Sequence, residues 1–347
     1  MAQSRPPSHF FRLPLALSQG DPSGIGTELT LKAWLKIHDE PNAVPFVFIA
    51  NPDHTAAVAK RLRLDVPIKA VTVEEAALVF PYALPVVALN HAVAGDLGTP
   101  DIRDASGTVA SIKECVRLVH AGVASAVVTN PIAKEVFYRA GFRHPGHTEF
   151  LKELADRHYG GRARAIMLLW APQFSVVPAT IHVPLARVPM LLTRELLVAT
   201  GSVVARDLAL RFGKKNPRLA FTSLNPHAGE GGTMGREEIE VISPALADLK
   251  AAGIAASGPF PADTIFRRGI RKTYEAVIAM YHDQALIPVK AVAFDRAVNV
   301  TLGLPLIRTS PDHGTAFDIA ARGIADPSSL ISALKLAGKM ARRSRIV

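Results

Sequence analysis

The sequence has few of the residues and patterns that mark disulfide-bonded, zinc-finger or membrane proteins. It contains one cysteine, Cys115, in 347 residues, which excludes an internal disulfide and a cysteine-rich metal cage. No apolar run approaches the roughly 20 residues of a membrane helix. The apolar patch Leu13–Leu17 is too short for a signal-peptide core. We therefore expect a cytoplasmic protein with no membrane partner, in which Cys115 is an inert buried thiol and histidine and carboxylate hold any metal.

Acidic residues are also few compared with basic ones. Lys and Arg number 40 and Asp and Glu 30, which gives a formal net charge of +10. Such an excess can indicate nucleic-acid binding. However, part of it lies near the C-terminus, and no basic stretch is interleaved with aromatic residues as in strand-binding surfaces. We therefore expect anionic small molecules, and not nucleic acid, as partners.

The pattern that is present is an alternation of strand-like and helical segments. This alternation favours an α/β fold with largely parallel sheets, and the length suggests two domains. The predicted strands are Leu13–Ser18, Val44–Ala50, Pro85–Leu89, Ala126–Val128, Ala165–Trp170, Phe174–Ile181, Arg218–Leu224, Ala276–Tyr281 and Asn299–Leu302. The predicted helices include 103–122, Leu192–Phe212, Arg236–Ala252 and Pro327–Met340. Since no linker separates two halves, we expect the chain to cross between domains more than once, with a cleft between them.

The glycine-rich segment Gly20–Gly26 follows the first predicted strand. It fits neither the Rossmann pattern nor the Walker pattern, so it is either a phosphate-binding loop of another type or a tight strand-to-helix turn. Ser23 or Thr27 is predicted to cap the helix that runs toward Ile37.

Three histidines follow predicted strands. His182 comes after 174–181, His227 after 218–224, and His282 closes 276–281. Ligands of open α/β sheets bind just beyond the carboxyl ends of the strands. Three imidazoles leave open positions on Zn²⁺ or a similar ion, as in catalytic metal sites. A metal site is favoured over the alternative that each histidine is an ordinary loop residue.

Carboxylates and cations lie near these strand ends in the sequence. Asp263 and Asp283 could orient the imidazoles, although Asp263 could instead cap a helix. Lys290 and Arg308 stand in apolar segments, where a buried cation is costly unless it is paired, so both are candidate anion ligands. The alternative for each is a surface position with an extended side chain.

Two segments are predicted to place ligand-binding groups at helix N-termini. His147 and Thr148 precede a helical pattern, where backbone donors favour phosphate, although Thr148 could simply be a cap. Asp312–Ala316 is predicted to open the last helical region, with Gly314 allowing a ligand to approach the backbone.

Eight segments taken together resemble one family. They are Gly20–Gly26, Thr129–Lys134, Gly146–Phe150, Asn225–Glu230, Pro261–Thr264, Tyr281–Gln284, Val298–Pro305 and Ile307–Ala316. In this order they resemble the 4-hydroxythreonine-4-phosphate dehydrogenase family of pyridoxal 5′-phosphate (vitamin B6) biosynthesis, from about residue 13 to 340. His313–Ala320 also resembles the adenosine-binding loop of isocitrate and isopropylmalate dehydrogenases. The family shares their fold, which accounts for the missing Rossmann pattern.

The resemblance implies two α/β/α domains with mixed, largely parallel sheets and an active-site cleft between them. Residues 13–140 with 296–347 would form the nucleotide-binding domain. Residues 141–295 would form the metal, substrate and dimerisation domain, and residues 1–12 a flexible tail.

The resemblance also implies roles for individual residues. The metal ligands would be His182, His227 and His282, one of them reaching in from the partner subunit of a homodimer, and His282 is the candidate for that. The ion would be Zn²⁺, Mg²⁺ or Co²⁺. The substrate contacts would be His147, Thr148, Lys290, Asn299 and Arg308. NAD or NADP would be bound by His313, Gly314, Thr315, Ala316 and Asp318.

The implied reaction is oxidation of a phosphorylated hydroxythreonine followed by loss of CO₂, with Asp263, Asp283 and Lys134 as candidates for the general base. Ala285, Ala321 and Asn130 depart from the family pattern or occupy variable positions. They leave open a paralogue that acts on threonate or erythronate 4-phosphate, or more distantly on a cis-dihydrodiol carboxylate. A non-catalytic protein that binds nucleic acid or a phosphometabolite is the alternative from another class.

Overall fold

The structure is a computed structural model that describes residues 13–142, 146–161 and 163–344, so the predicted tail 1–12 lies outside the described residues. The strands are β1 (Leu15–Ser18), β2 (Phe46–Ala50), β3 (Ile68–Ala70), β4 (Leu84–Ala88), β5 (Val127–Thr129), β6 (Ile166–Ala171), β7 (Phe174–Pro178), β8 (Leu219–Thr222), β9 (Ala256–Phe260), β10 (Ala276–Ala279), β11 (Val298–Leu302) and β12 (Arg308–Pro311). The helices are α1 (Gly26–Ile37), α2 (Pro52–Arg61), α3 (Ala76–Val79), α4 (Ala105–His120), α5 (Lys134–Arg139), α6 (His147–Tyr159), α7 (Val188–Leu191), α8 (Arg194–Phe212), α9 (Ser243–Ala251), α10 (Ala262–Ile265), α11 (His282–Ala293) and α12 (Ser328–Ser344).

The chain divides into two compact units. Unit 1 is Met1–Ala163 with Pro305–Ala341, and unit 2 is Arg164–Leu304 with Arg342–Val347. The chain leaves unit 1 after α6 and returns after β11, whereas the sequence placed these crossings before α6 and before β11. Gly160 and Gly161 lie at the first crossing and Gly303 and Pro305 at the second, but such short glycine and proline signals also occur within both units, so they did not mark the crossings.

Unit 1 contains a parallel sheet in the order β3-β4-β2-β1-β5-β12. Its central strands β1 and β2 are buried throughout, which explains why they are continuous apolar runs in the sequence. The edge strand β3 is short and mostly exposed, and its single large apolar residue, Ile68, gave no strand pattern to predict.

Unit 2 contains a mixed sheet in the order β11-β6-β7-β10-β8-β9. Strands β7, β10, β8 and β9 run parallel, while β6 is antiparallel to both β7 and β11. The three histidine-bearing segments therefore follow neighbouring strands, with β10 between β7 and β8. The predicted fold class, α/β with largely parallel sheets, is confirmed.

Two local predictions, the end of α8 and the burial of Cys115, are confirmed. The helix predicted to end at Phe212 is α8, which does end there, and its C-cap Gly213 has a φ of 66° in the left-handed region that favours glycine. Cys115 is completely buried and free. Among the described residues, no single helix is long and apolar enough to cross a membrane, and only a pair bent by 87°, Leu185–Leu191 with Arg194–Phe212, meets that test jointly.

Three local predictions are wrong. The N-cap of α1 is Ile25, with no side-chain cap, because Ser23 instead donates its hydroxyl to the carbonyl of Thr99. Residues 312–316 are non-helical, residues 317–320 form a turn, and α12 begins only at Ser328, so the predicted helix N-terminus at Asp312–Ala316 is absent. His282 does not end strand β10 but begins α11.

Candidate active site

His182 and His282 lie side by side in unit 2. Their ring centroids are 5.7 Å apart, and both line a cavity of about 250 Å³ with Thr180, Tyr281 and Asp283. Two hydrogen bonds hold these segments together. The backbone N–H of Ala179 donates to the carbonyl of Ala279, and the Thr180 hydroxyl donates to the carbonyl of Met280. The parallel pairing of β7 with β10 thus brings together two histidines that are distant in sequence.

The carboxylate of Asp283 orients the ring of His282. Nδ1 of His282 lies 2.7 Å from Oδ1 of Asp283. When the ring donates a hydrogen bond from Nδ1, the lone pair of Nε2 is free to bind a metal, which is the usual arrangement of a metal-binding histidine. The sequence prediction that Asp283 orients an imidazole agrees with this contact.

His227 occupies an unusual backbone turn after β8. His227, Ala228 and Glu230 have φ values of 51°, 55° and 42°, which non-glycine residues rarely adopt. His182 also has a φ of 51°. Backbone strain of this kind is found preferentially at functional sites.

The histidines fit a divalent ion only in part within one chain. Two imidazoles share a cavity, and one has its ring orientation fixed, which suits Zn²⁺ or Co²⁺. Across the described ranges, however, no group of three His, Cys, Asp or Glu side chains is placed to hold a metal.

The other predicted residues of unit 2 have different environments. Asn299 lies on β11, and its Oδ1 is buried without a hydrogen-bond partner among the described residues. Lys290 is exposed on α11, with Nζ 5.9 Å from the ring centre of Phe294. Asp263 is exposed in the first turn of α10, whose N-cap is Pro261, so the helix-cap alternative for Asp263 is wrong.

Arg308 is the buried cation of unit 1. It begins β12, is 2% exposed, and donates from Nη2 to the hydroxyl of Thr129 at 2.8 Å. Burial lowers its pKa to about 10, against the opposing effect of the Glu149 carboxylate. The alternative of an extended surface side chain is therefore wrong for Arg308. A buried guanidinium at a strand start is well suited to bind an anion.

His147 lies close to two positive charges. Burial lowers its pKa well below the ordinary value, and the charges of Arg308 and Lys134 lower it further. Its Nε2 is buried and has no hydrogen-bond partner in the part of the chain that the structure describes. His147 is thus a neutral imidazole with an unused nitrogen beside two cations, an arrangement that suits an anionic ligand with a hydroxyl or oxyanion group.

The predicted helix start at this site is confirmed. Helix α6 begins at His147, and its N-cap is Gly146 without a side-chain cap, so Thr148 does not act as the cap. Lys134 begins α5, and a Cβ built on Gly146 would lie 3.9 Å from its Nζ. Lys134, His147 and Thr148 therefore meet at one helix N-terminus, where backbone donors add to the positive potential.

The glycine-rich turn of unit 1 packs on the predicted nucleotide loop. The amide of Ile25 donates to the carbonyl of Thr315 at 3.0 Å, and a Cβ on Gly24 would lie 2.9 Å from that carbonyl oxygen. Gly314 faces open space, and Nδ1 of His313 lies 3.0 Å from its carbonyl oxygen. Ala316 has a φ of 45°, and Asp318 is exposed. The loop Gly20–Gly26 is a tight turn that supports the segment His313–Ala316.

Asp21 and Gln284 are notable residues to which the sequence gave no separate role. Asp21 is 3% exposed, and burial raises its pKa to about 6. The hydrogen bond that its carboxylate accepts from the Ser23 amide opposes this rise. Gln284 accepts from Met280 N and donates to the carbonyl of Ser223. Both residues stood inside quoted motifs, but only their tertiary contacts distinguish them from ordinary turn and helix residues.

Comparison with known proteins identifies the family. The family model described as "Pyridoxal phosphate biosynthetic protein PdxA" matches residues 42–337. The chain belongs to the PdxA family. It is 54% identical over 332 residues to the 4-hydroxythreonine-4-phosphate dehydrogenase of Methylorubrum populi, with 95% of each chain covered. It is 52% identical to the enzyme of that name from Bradyrhizobium diazoefficiens, with 94% of this chain and 97% of the other covered.

Solved structures of PdxA-family proteins share the fold. The 4-hydroxythreonine-4-phosphate dehydrogenase of Klebsiella pneumoniae is similar with a TM-score of 0.83 and 31% identity, over 94% of this chain and 99% of the other. A terephthalate 1,2-cis-dihydrodiol dehydrogenase from Burkholderia xenovorans is similar with a TM-score of 0.63 and 26% identity, over 95% and 98% of the two chains. The resemblance to the PdxA family that the eight segments predicted is confirmed.

The three positions that depart from the expected family pattern or vary within it have different structural environments. Ala321 has a φ of 71°, in the region that favours the glycine expected there. Ala285 is fully buried inside α11, where alanine is a good helix former. Asn130 is fully buried and donates from Nδ2 to the Ser18 carbonyl and the Thr30 hydroxyl, so it ties β1 to α1. None of the three removes a predicted ligand.

Proposed function

We propose that this protein oxidises the secondary alcohol of 4-phosphooxy-L-threonine with NAD⁺ or NADP⁺. The product, 2-amino-3-oxo-4-phosphooxybutanoate, loses CO₂ to give 3-amino-2-oxopropyl phosphate, a step of pyridoxal 5′-phosphate biosynthesis. The observation that carries this proposal is the 54% identity over 95% of both chains to a protein named for this activity. The expected cytoplasmic location stays a prediction.

The cationic cluster of unit 1 would bind the phosphate or carboxylate of the substrate. Arg308 offers planar donors, Lys134 a point charge, and His147 an unused buried nitrogen. Thr148 lies in the same first turn of α6. In unit 2, Asn299 has an unsatisfied oxygen, and Lys290 supplies a further cation. The cations and the helix N-terminus of unit 1 suit an anionic group of the substrate, and Asn299 and Lys290 stay predicted substrate contacts.

The metal ligands in this proposal are His182, His227 and His282, with one of the three supplied by a second copy of the chain. When bound, Zn²⁺, Mg²⁺ or Co²⁺ would lower the pKa of the substrate alcohol and stabilise the negative charge left when CO₂ departs. Asp283 would hold the ring of His282 in the ligating orientation.

The nucleotide-binding part in this proposal is unit 1, with His313–Ala316 and Asp318 as the contacts. The support of His313–Ala316 by the rigid turn at Gly24 and Ile25 fits a loop that must keep its shape around a cofactor. Lys134, Asp263 and Asp283 remain the candidates for the general base. Of these, Lys134 belongs to the cationic cluster, whereas Asp283 is engaged with His282.

A homodimer with a shared site is part of the proposal. Large apolar side chains are exposed on the segments around the histidine cavity: Leu185 (65%), Met190 (76%), Ile287 (66%) and Phe294 (71%). Leu185 itself lines the cavity. A second copy of the chain would cover these side chains and supply the missing third histidine.

Mixed dimers test the shared site. The variants His227→Ala and His282→Ala are each expected to be inactive alone. If a partner contributes one ligand, unfolding and refolding the two variants together should restore partial activity, because some mixed dimers then contain one complete site. Mixtures that stay inactive although they form dimers would refute a site in which His227 and His282 come from different chains.

The activity is tested by NADH or NADPH absorbance with purified protein. We expect turnover of 4-phosphooxy-L-threonine after addition of Zn²⁺, Mg²⁺ or Co²⁺, and none after chelation. Faster turnover of threonate or erythronate 4-phosphate would identify the paralogue instead. Absence of turnover of every substrate with every metal, together with strongly salt-dependent nucleic-acid binding, would support the non-catalytic alternative.

A further inference from the structure

The side-chain amide of Gln284 joins the ends of two neighbouring strands. Its Oε1 accepts from the backbone N–H of Met280, just beyond β10, at 2.7 Å and from the hydroxyl of Thr222, the last residue of β8, at 2.6 Å. Its Nε2 donates to the carbonyl of Ser223 at 2.8 Å. One side chain thus makes three hydrogen bonds that fix the spacing between β8 and β10 at the edge where the histidines lie.

The peptide groups of Met280 connect all three histidine-bearing segments. Gln284 holds the Met280 amide, and the hydroxyl of Thr180 donates to the Met280 carbonyl at 2.8 Å. Thr180 stands two residues before His182, and Met280 stands two residues before His282. Displacement of Met280 would therefore move both histidines relative to each other.

The side-chain amide of Gln284 is also linked to the turn that carries His227. Gln284 holds the carbonyl of Ser223, and the Ser223 hydroxyl donates to the carbonyl of Asn225 at 2.9 Å. The carboxylate of Glu238 accepts hydrogen bonds from the backbone amides of Leu224 and Asn225, both at 2.8 Å. These bonds hold the entry to the left-handed turn, whose non-glycine residues would otherwise relax to ordinary φ values.

We propose that Gln284 is a positioning residue for the histidine site. It fixes the strand ends that carry His182, His227 and His282, and so the geometry of whichever of these histidines one chain supplies to a site. It thereby sets the affinity for a divalent cation without contacting the cation or the substrate. This inference rests on the proposed metal-ligand role of the three histidines. Metal–ligand distances tolerate only about 0.2 Å, so a small shift of a strand end weakens binding.

The test is a Zn²⁺ titration of chelator-treated protein against a chromophoric chelator, combined with thermal unfolding. Gln284→Met keeps the length of the side chain but removes its amide, and we expect Zn²⁺ affinity to fall about 10–100-fold, as for other groups that orient metal ligands. The Co²⁺-loaded variant should also show an altered visible spectrum. Gln173→Met, in the exposed turn between β6 and β7, is the matched control and should bind like the wild type.

Thr222 provides a second, milder test that does not depend on the folding of the Gln284 variant. Thr222→Val removes the hydroxyl that donates a hydrogen bond to Gln284 and should weaken Zn²⁺ binding. Thr222→Ser keeps a hydroxyl and should bind Zn²⁺ with the wild-type affinity. Because both changes act through one contact, Thr222→Val combined with Gln284→Met should cost less than the sum of the two single changes.

The outcomes separate this inference from the metal site itself. If Gln284→Met or Thr222→Val lowers the thermal midpoint but binds Zn²⁺ with wild-type affinity, the network only stabilises the fold and the positioning role is wrong. His282→Ala is included in the same titration. If only His282→Ala loses Zn²⁺ affinity, the ligand proposal stands and the positioning role of Gln284 is wrong. If His282→Ala keeps its affinity, both proposals are wrong.

Discussion

The imidazole rings of His182 and His282 lie 5.7 Å apart because β7 and β10 are parallel neighbours in the sheet of unit 2. Each histidine stands just beyond its strand, and the Thr180 hydroxyl ties the two strand ends together. The relationship places two proposed metal ligands in one cavity although β8, β9 and several helices lie between them in the sequence. It is the geometric basis of the predictions about metal binding.

Removal of His182 should abolish tight metal binding. His182→Ala is expected to lower Zn²⁺ affinity by more than the roughly 10–100-fold typical of an outer-shell change, since it deletes a ligand itself. Metal content after dialysis and the absorbance assay measure the effect. His158→Ala deletes another ring-paired histidine, at the end of α6, and should leave metal content unchanged. A metal-free but fully active His182→Ala would refute the assignment.

Replacement of Arg308 should weaken substrate binding without unfolding the protein. Arg308→Met removes a charge-assisted hydrogen-bond donor worth about 1.5–3 kcal/mol, so KM should rise roughly 10–100-fold. Thermal stability should be unchanged or higher, because a buried cation is replaced by an apolar side chain. The exposed Arg139 is the control, and Arg139→Met should keep the wild-type KM.

The same variant should change the titration of His147. The positive charge of Arg308 is one of the causes that lower the pKa of His147, so its removal should raise that pKa. The expected direction is measured by NMR of the imidazole signals in wild type and Arg308→Met. An unchanged pKa would show that the two side chains do not interact as the structure indicates.

Asp21 should make stability decrease as pH rises from about 4 to 6. Its pKa is raised from 3.8 to about 6 in the folded protein, so in this window the folded state binds more protons than the unfolded state. The free energy of unfolding therefore falls with rising pH, by about 3 kcal/mol at most. Asp21→Asn should lack this fall and exceed the wild type at neutral pH.

Urea denaturation at several pH values checks the Asp21 prediction. The quantity to compare is the difference in unfolding free energy between Asp21→Asn and wild type, because contributions from other titrating groups cancel. Asp39→Asn, at an exposed carboxylate, should retain the wild-type slope. A difference that does not vary with pH would mean that Asp21 titrates normally.

Replacement of Ala321 by glycine should stabilise the folded protein. Its φ of 71° strains an L-residue by about 1–2 kcal/mol, and the extra freedom of glycine in the unfolded chain offsets about half of that. Ala321→Gly is therefore expected to raise the unfolding free energy by roughly 0.5–1 kcal/mol. Ala320→Gly, next to it but without a positive φ, should be destabilising. A loss of stability in Ala321→Gly would contradict the assigned backbone strain.

Sequence patterns predicted the elements whose local signals agree with their tertiary environment. The buried runs of β1, β2 and β10 are continuous apolar stretches, and Gly213 marks the end of α8. The short edge strand β3 was missed because exposure leaves little apolar pattern. The irregular segment 312–316 was taken for a helix start because a glycine beside polar residues is common to loops and helix starts.

The sequence by itself determined the fold class, the family and the identity of the candidate ligands, because these follow from apolar periodicity and from motifs in fixed order. Only the tertiary structure decided that β10 lies between β7 and β8, that Arg308 is buried beside His147, and that Gln284 joins two strand ends. The physical reason is that strand order and burial depend on packing between segments distant in sequence, which no local pattern of residues contains.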